Sequence, residues 1–214
     1  MISFASLDQQ QRRLGKTQGK LSVDVQEHLL SNLLKYEVAK AEPNSKPVPS
    51  LVEQAAVSVV KLDKGLSRLS RDDLMNLHHI VTDSEPVCRQ ERVQPGSPAH
   101  QPLDPAIVST AVDRFFEWVR SPSFEEIHVI EQMTLSQVRL YEIQPFQRLS
   151  NLTGSLFCLV FLLCGGYLIP LYLVEELDEF KQVLERALLF STEDLVRFNL
   201  RACERSYEYA LRNG

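Results

Sequence analysis

Residues 141–174, YEIQPFQRLSNLTGSLFCLVFLLCGGYLIPLYLV, decide how this chain folds. A helical run ends at Gln144-Pro145-Phe146, a short loop carries Arg148, and from Leu149 to Val174 there is no charged residue. Proline lacks the N–H that continues a helix, and it pushes the residue before it out of helical geometry, so the chain must turn at 144–145. An uncharged stretch of this length is formally a candidate membrane span, since about 20 apolar residues cover ~30 Å of hydrocarbon. Thr153, Gly154, Ser155, the Gly165-Gly166 pair and Pro170 argue against that. They cut the run into a helix of roughly 13 residues and a turn, too short to cross at about 1.5 Å per residue. A helix that is apolar on every side is instead expected to be buried on every side by other helices.

Outward from this segment, helical spacing dominates. Upstream, Ser123 with Glu126 opens a helix bearing Ile127, Ile130, Met133, Val138 and Tyr141, and Asp104-Pro105 opens one bearing Ile107, Val108, Ala111, Val112, Phe115, Phe116 and Val119. Proline at a first helical position forfeits nothing, because that N–H has no helical partner. Ser70 with Asp73, Ser50 with Glu53 and Asp24 with Glu27 mark three further starts, where side-chain oxygens meet otherwise unpaired backbone N–H groups. Downstream, a helix spans roughly 173–190, and Ser191 with Asp194 caps a last one to about Arg212. Residues 1–21 read as a polar tail, and Pro43, Pro47 and Pro49 as a connector. The expected organisation is a tail, helix and connector at 1–49 packed on one domain at 50–214. The loop from Thr82 to Pro102, rich in Pro, Gly and Gln, has a length usually associated with function or mobility.

This order of elements resembles the Fic (Fido) domain family. There a helix ends at His-Pro-Phe, an acidic residue and a Gly-Asn-Gly-Arg loop follow, then a second Arg and a buried helix; the family transfers AMP or a related phosphoryl-bearing group to protein hydroxyls. Laid over that pattern, Gln144 stands at the His, Pro145 and Phe146 match, and Arg148 stands at the acidic position. Leu149, Ser150, Asn151 and Leu152 stand where Gly, Asn, Gly and Arg are expected, and Ser155 where the second Arg is expected. Thr153 and Gly154 suit the small residues that open the family helix. The resemblance covers roughly residues 50–190, through CRQERV at 88–93, LDPA at 103–106 and LCGGYL at 163–168. It implies an all-α Fic-like bundle around a central buried helix, with Arg89, Glu91 and Val93 in a short β-hairpin flap that takes up a target peptide as an added strand. Some members also carry an inhibitory helix with Ser or Thr four residues before a Glu that precedes Gly or Asn. Here Ser31 meets Lys35 at that spacing and Glu37 precedes Val38, so the motif is absent.

Each substitution removes a piece of the chemistry. Imidazole accepts a proton near neutral pH, whereas the Gln144 amide does not titrate. Mg²⁺ needs hard oxygen ligands, and Arg148 would repel it. Glycines let backbone N–H groups turn toward a phosphate at a helix N-terminus, and Leu149 and Leu152 would crowd such a nest. Paired guanidinium groups grip phosphate oxygens, and Leu152 and Ser155 carry no charge. A degenerate member without AMP-transferase activity is therefore expected, catalytic residues none, acting through a protein partner or in regulation, with no cofactor. The alternative is a nucleotide-dependent transferase with a non-standard loop, for which Arg148, Ser150, Asn151, Thr153, Gly154 and Ser155 would be the remnant of a nucleotide or anion site and ATP with Mg²⁺ the cofactor.

The remaining composition narrows the classes. A net charge of −5 and a pI near 5.6 disfavour nucleic acid, whose phosphates require clustered Lys and Arg; Arg12, Arg13, Lys16 and Lys20 form only a sparse run. Cys88, Cys158, Cys164 and Cys203 show neither a disulfide framework nor zinc spacing, and His78-His79 reads as a helix face with no metal expected. His128 reads as a polar helix position without a role. Gln9, Gln10, Gln11, Arg12 and Arg13 interrupt any apolar leader, so a cytoplasmic location and no membrane are expected.

Overall fold

The apolar run lies at the centre of the molecule: in the computed structural model, Leu152 to Leu162 are buried without interruption. Residues 2–16, 23–40, 49–60, 66–94 and 100–213 are described. They form ten α-helices: α1 (Ala5–Lys16), α2 (Val23–Lys40), α3 (Pro49–Val60), α4 (Arg71–Thr82), α5 (Pro105–Val119), α6 (Pro122–Glu125), α7 (Val129–Ile143), α8 (Ser150–Cys164), α9 (Leu177–Leu189) and α10 (Glu193–Asn213). Short 3₁₀ turns occur at Leu66–Arg68 and Val174–Glu176, and no strand is present among the described residues. The expected all-α bundle is what forms.

Helix α8 is surrounded because no face of it is polar enough to be left in water. Helices α3, α4 and α7 pack directly on it. Phe157 meets Phe116 of α5 edge-on at 5.7 Å, and Phe161 meets Phe124 of α6 at 5.5 Å. Each such ring contributes roughly 2–3 kcal/mol through burial. Gly154 sets the approach of α7, since a Cβ there would lie 3.2 Å from Leu140 Cβ. The same continuous core takes in Leu7 of α1, Leu29, Leu33 and Tyr36 of α2, Phe180 of α9, and Phe198 and Tyr207 of α10. One fully buried polar knot crosses it. Asn199 donates through Nδ2 to Thr134 Oγ1 (2.9 Å) and accepts from the Tyr172 hydroxyl (2.8 Å), fixing α10 against α7 and the segment after α8.

Several helix starts fall where their chemistry predicts. The Ser70 N–H and hydroxyl donate to the Asp73 carboxylate (3.0 and 2.9 Å), and Asp104 accepts from the Ala106 N–H (3.0 Å) ahead of Pro105. Pro49 is the first residue of α3 and so belongs to the helix rather than the connector. Three expectations are corrected. Residues 5–16 are not a polar tail but α1, whose Leu7 is buried. The helix expected from Ser123 breaks after the single turn of α6, and α7 begins afresh at His128, whose Nδ1 accepts from the Ile130 N–H (3.2 Å). His128 is thus a cap, which gives this residue the role that periodicity does not assign. No β-hairpin flap is seen in the described part of 82–102: residues 84–94 run as irregular chain with Arg89 buried, and His100 takes part in an isolated bridge. The Asp24 side chain, Lys20, Pro43, Pro47 and residues 95–99 lie outside what is described.

No helix among the described residues is long and apolar enough to cross a membrane. None of the four cysteines forms a disulfide; Cys88, Cys158 and Cys203 are buried, and Cys164 is exposed at the end of α8. Among the described residues no group of His, Cys, Asp and Glu is placed to hold a metal.

Candidate functional site

The turn between α7 and α8 is held by two residues in left-handed backbone conformation, Gln144 (φ 43°) at the end of α7 and Leu149 (φ 51°) at the start of α8. That region suits glycine, and a side chain there costs about 1–2 kcal/mol. Surrounding contacts must hold it. Arg89, 2 % exposed, supplies most of them: its Nε donates to Gln144 O (2.7 Å), and its terminal nitrogens donate to Glu91 O (3.0 Å), Leu103 O (2.6 Å) and Ile143 O (3.4 Å). Its own N–H donates to Pro145 O (2.9 Å). A guanidinium at the C-terminal end of α7 meets the carbonyls that carry the helix's partial negative charge. Burial lowers the Arg89 pKa, yet the group stays protonated.

His78 of α4 fixes the other side of the turn. Its ring stacks on Phe146 at 3.7 Å, and Nε2 donates to Arg148 O (3.1 Å), which leaves Nδ1 buried without a protein partner. Burial pushes its pKa down to about 4, from an ordinary 6.5, so it is neutral at pH 7. A base whose folded pKa is depressed binds protons more readily when unfolded. The stability it contributes is therefore complete above pH 6.5 and lost as pH falls through about 4. We expect about 2–3 kcal/mol to be lost across that window, after allowance for solvent screening. Urea unfolding from pH 7 to pH 4 checks it, with a visibly shallower pH dependence expected for His78→Gln.

On the face of α8 that carries Ser155 lies a buried ion pair. Lys40, the last residue of α2, donates from Nζ to Glu37 Oε1 (2.7 Å) and to Ser155 Oγ (2.8 Å). The two charged side chains are 6 % and 3 % exposed. The ammonium also lies 5.1 Å from the Phe180 ring centre and 5.6 Å from that of Tyr36. Burial raises the Glu37 pKa, opposed by the adjacent Lys40 charge. Periodicity does not point to this pair as part of the site, but a signal is present. Leu29, Leu33, Tyr36 and Lys40, at spacings of four, three and four, form one stripe, so a charge continues an apolar face.

The residues that the sequence singles out separate into different settings. Thr153 is fully buried, Ser155 is tied to Lys40, and Gly154 packs on Leu140. The Ser150 hydroxyl accepts from the Phe146 N–H (3.2 Å) and so closes the turn on itself. Arg148 projects into solvent, Asn151 is half-buried, and Leu152 belongs to the core. Glu91 is exposed and Val93 half-buried, and only Arg89 of the three joins the turn.

No family model matches the sequence, and no curated protein is similar enough to be matched. Solved structures are. A fragment of Fic-1 from C. elegans superposes with a TM-score of 0.76 at 17% identity, covering 99% of this chain and 71% of that one. A Fic domain containing signaling protein from Bacteroides thetaiotaomicron gives 0.72 at 11% identity over 98% and 99% of the two chains. A Fic family protein from Desulfovibrio desulfuricans gives 0.62 at 14%, over 99% and 75%. The chain has a Fic fold. In this Fic fold, α8 is the buried central helix and the Gln144–Ser155 turn precedes it, with Arg89, His78 and Lys40 converging from three other parts of the chain.

Proposed function

We propose that this Fic-fold protein is a degenerate member that does not transfer AMP and acts in the cytoplasm by binding a protein partner. The observation that carries the reading is the Glu37–Lys40 pair seated on Ser155. The Lys40 ammonium at that place is already neutralised by the Glu37 carboxylate, and both are out of water, so neither is free to grip a phosphate. The residues of the turn do not fit ATP with Mg²⁺ either: no carboxylate occurs from Gln144 to Ser155, and Mg²⁺ on nucleotide phosphates is usually held through one or two carboxylates. His78, the imidazole that touches the turn, is committed to Arg148 O and is too weak a base to serve near pH 7.

Purified protein incubated with labelled ATP, Mg²⁺ and a cell extract is expected to transfer no label above background. Reproducible labelling that disappears in Gln144→Ala or Arg148→Ala would establish instead the transferase with a non-standard loop. Titration calorimetry with ATP, with and without Mg²⁺, is expected to show no binding tighter than about millimolar, roughly −4 kcal/mol.

A further inference from the structure

We propose that the groove between α5 and α7 is the docking surface for an amphipathic helix of a partner protein, one whose apolar stripe is flanked by carboxylates. This names the surface for the partner binding proposed above and rests on that reading. Arg89 Nη2 bonds both Leu103 O, just before α5, and Ile143 O, at the end of α7, so the start of one helix lies beside the end of the other and the two run antiparallel. Between them is a cavity of about 420 Å³, walled by Arg114, Phe115 and Trp118 on one side and Leu135, Val138 and Arg139 on the other.

The walls have the periodicity of a seat for a helix. On α5 the lining residues Arg114 and Trp118 continue a row with Ile107 and Ala111 beyond the cavity, at spacings of four, three and four, with Ile107 half exposed. On α7 it reads Leu135, Val138 and Glu142, at spacings of three and four. Two such rows receive an incoming helix through anchors one turn apart, each filling a gap between rows. The rim then selects the sign of the partner. Arg139 is neutralised by Glu142 at 2.8 Å, whereas Arg114 has no ion pair among the described residues, which leaves the groove cationic on a chain of net charge −5. A planar guanidinium beside an aromatic wall takes a carboxylate through paired hydrogen bonds, so the complement is an apolar stripe edged with Asp or Glu. A strongly basic helix would meet Arg114 with like charge.

Trp118 is the only tryptophan of the chain and reports directly on the groove. A capped synthetic peptide of about 16 residues, long enough to form a helix, with Leu at the first, fourth, fifth and eighth positions and Glu beside them, is titrated against the intact protein. A saturable change in Trp118 emission is expected, with affinity reduced about tenfold or more for the same peptide with Lys in place of Glu, and equally for Arg114→Glu. Leu135→Arg is expected to abolish the change while circular dichroism and melting temperature stay as in the parent. The proposal is overturned by an absence of saturable change, by equal binding of the Glu and Lys peptides, or by sedimentation showing that the groove joins two copies of this chain in a dimer that Leu135→Arg disperses. The labelled-ATP experiment reads the loss of transferase activity independently, so either idea can fail alone.

Discussion

Replacing Lys40 with Met is expected to cost about 3–4 kcal/mol at pH 7, because the methionine fills nearly the same space but leaves the Glu37 carboxylate buried without its cation. Isolating one member of a buried pair typically costs about 3–5 kcal/mol. Glu37 can escape by taking up a proton, which caps the penalty. Raising the pKa of a carboxyl costs about 1.4 kcal/mol per pH unit, and burial already pushes Glu37 upward from its ordinary 4.5. The sign of the pH dependence follows. A carboxyl whose folded pKa is raised binds protons more readily in the folded state, so its contribution is favourable below its unfolded pKa and lost as pH rises through the folded one. The deficit of Lys40→Met should therefore shrink toward about 1 kcal/mol near pH 4.5. Urea denaturation at both pH values measures it. In the double variant Glu37→Leu with Lys40→Met most of the loss should return, because no charge remains to be solvated. A deficit that stayed the same at both pH values, or that the double variant deepened, would show that the pair is not the buried ionic contact described.

Removing the Arg89 side chain is expected to cost about 2–4 kcal/mol, because Arg89→Ala strips the donor from Gln144 O, Leu103 O, Glu91 O and Ile143 O at once. Three of these carbonyls belong to turns or helix ends with no helical donor of their own. Arg89→Lys should recover less than half, since an ammonium cannot address carbonyls on three separate segments in the plane of a fork. Hydrogen exchange should quicken at Gln144 and through residues 88–91, while the α8 amides stay protected. Exchange that is unchanged around Gln144 would mean that the turn is held by Phe146, His78 and Ser150 without Arg89.

These residues separate two kinds of structural information. Burial of α8 is readable because an uncharged run has a single stable solution in water, and the caps at Ser70 and Asp104 are readable because their partners lie three and two residues away. Helix α1 escapes periodicity because its many Gln and Arg side chains conceal a narrow apolar stripe represented by Leu7. His128 escapes it because a histidine cap differs from a helical histidine in backbone angle alone. The flap expectation is unmet among the described residues for a different reason. Arg89 resembles any loop arginine until the carbonyls of Gln144, Ile143 and Leu103, far away in sequence, are brought around it.

Residue order alone is enough for the helical class, for the central buried helix and for a turn from Gln144 to Ser155 that carries no His, no Asp or Glu and a single Arg. These follow from local periodicity and residue type, which no packing can alter. What lies against that turn is a product of three-dimensional packing: the ammonium of Lys40, separated from Ser155 by 115 residues, and the guanidinium of Arg89, 55 residues from Gln144. Such contacts leave no trace at short range, because a charge is drawn into a core only when the fold delivers enough partners to offset its desolvation.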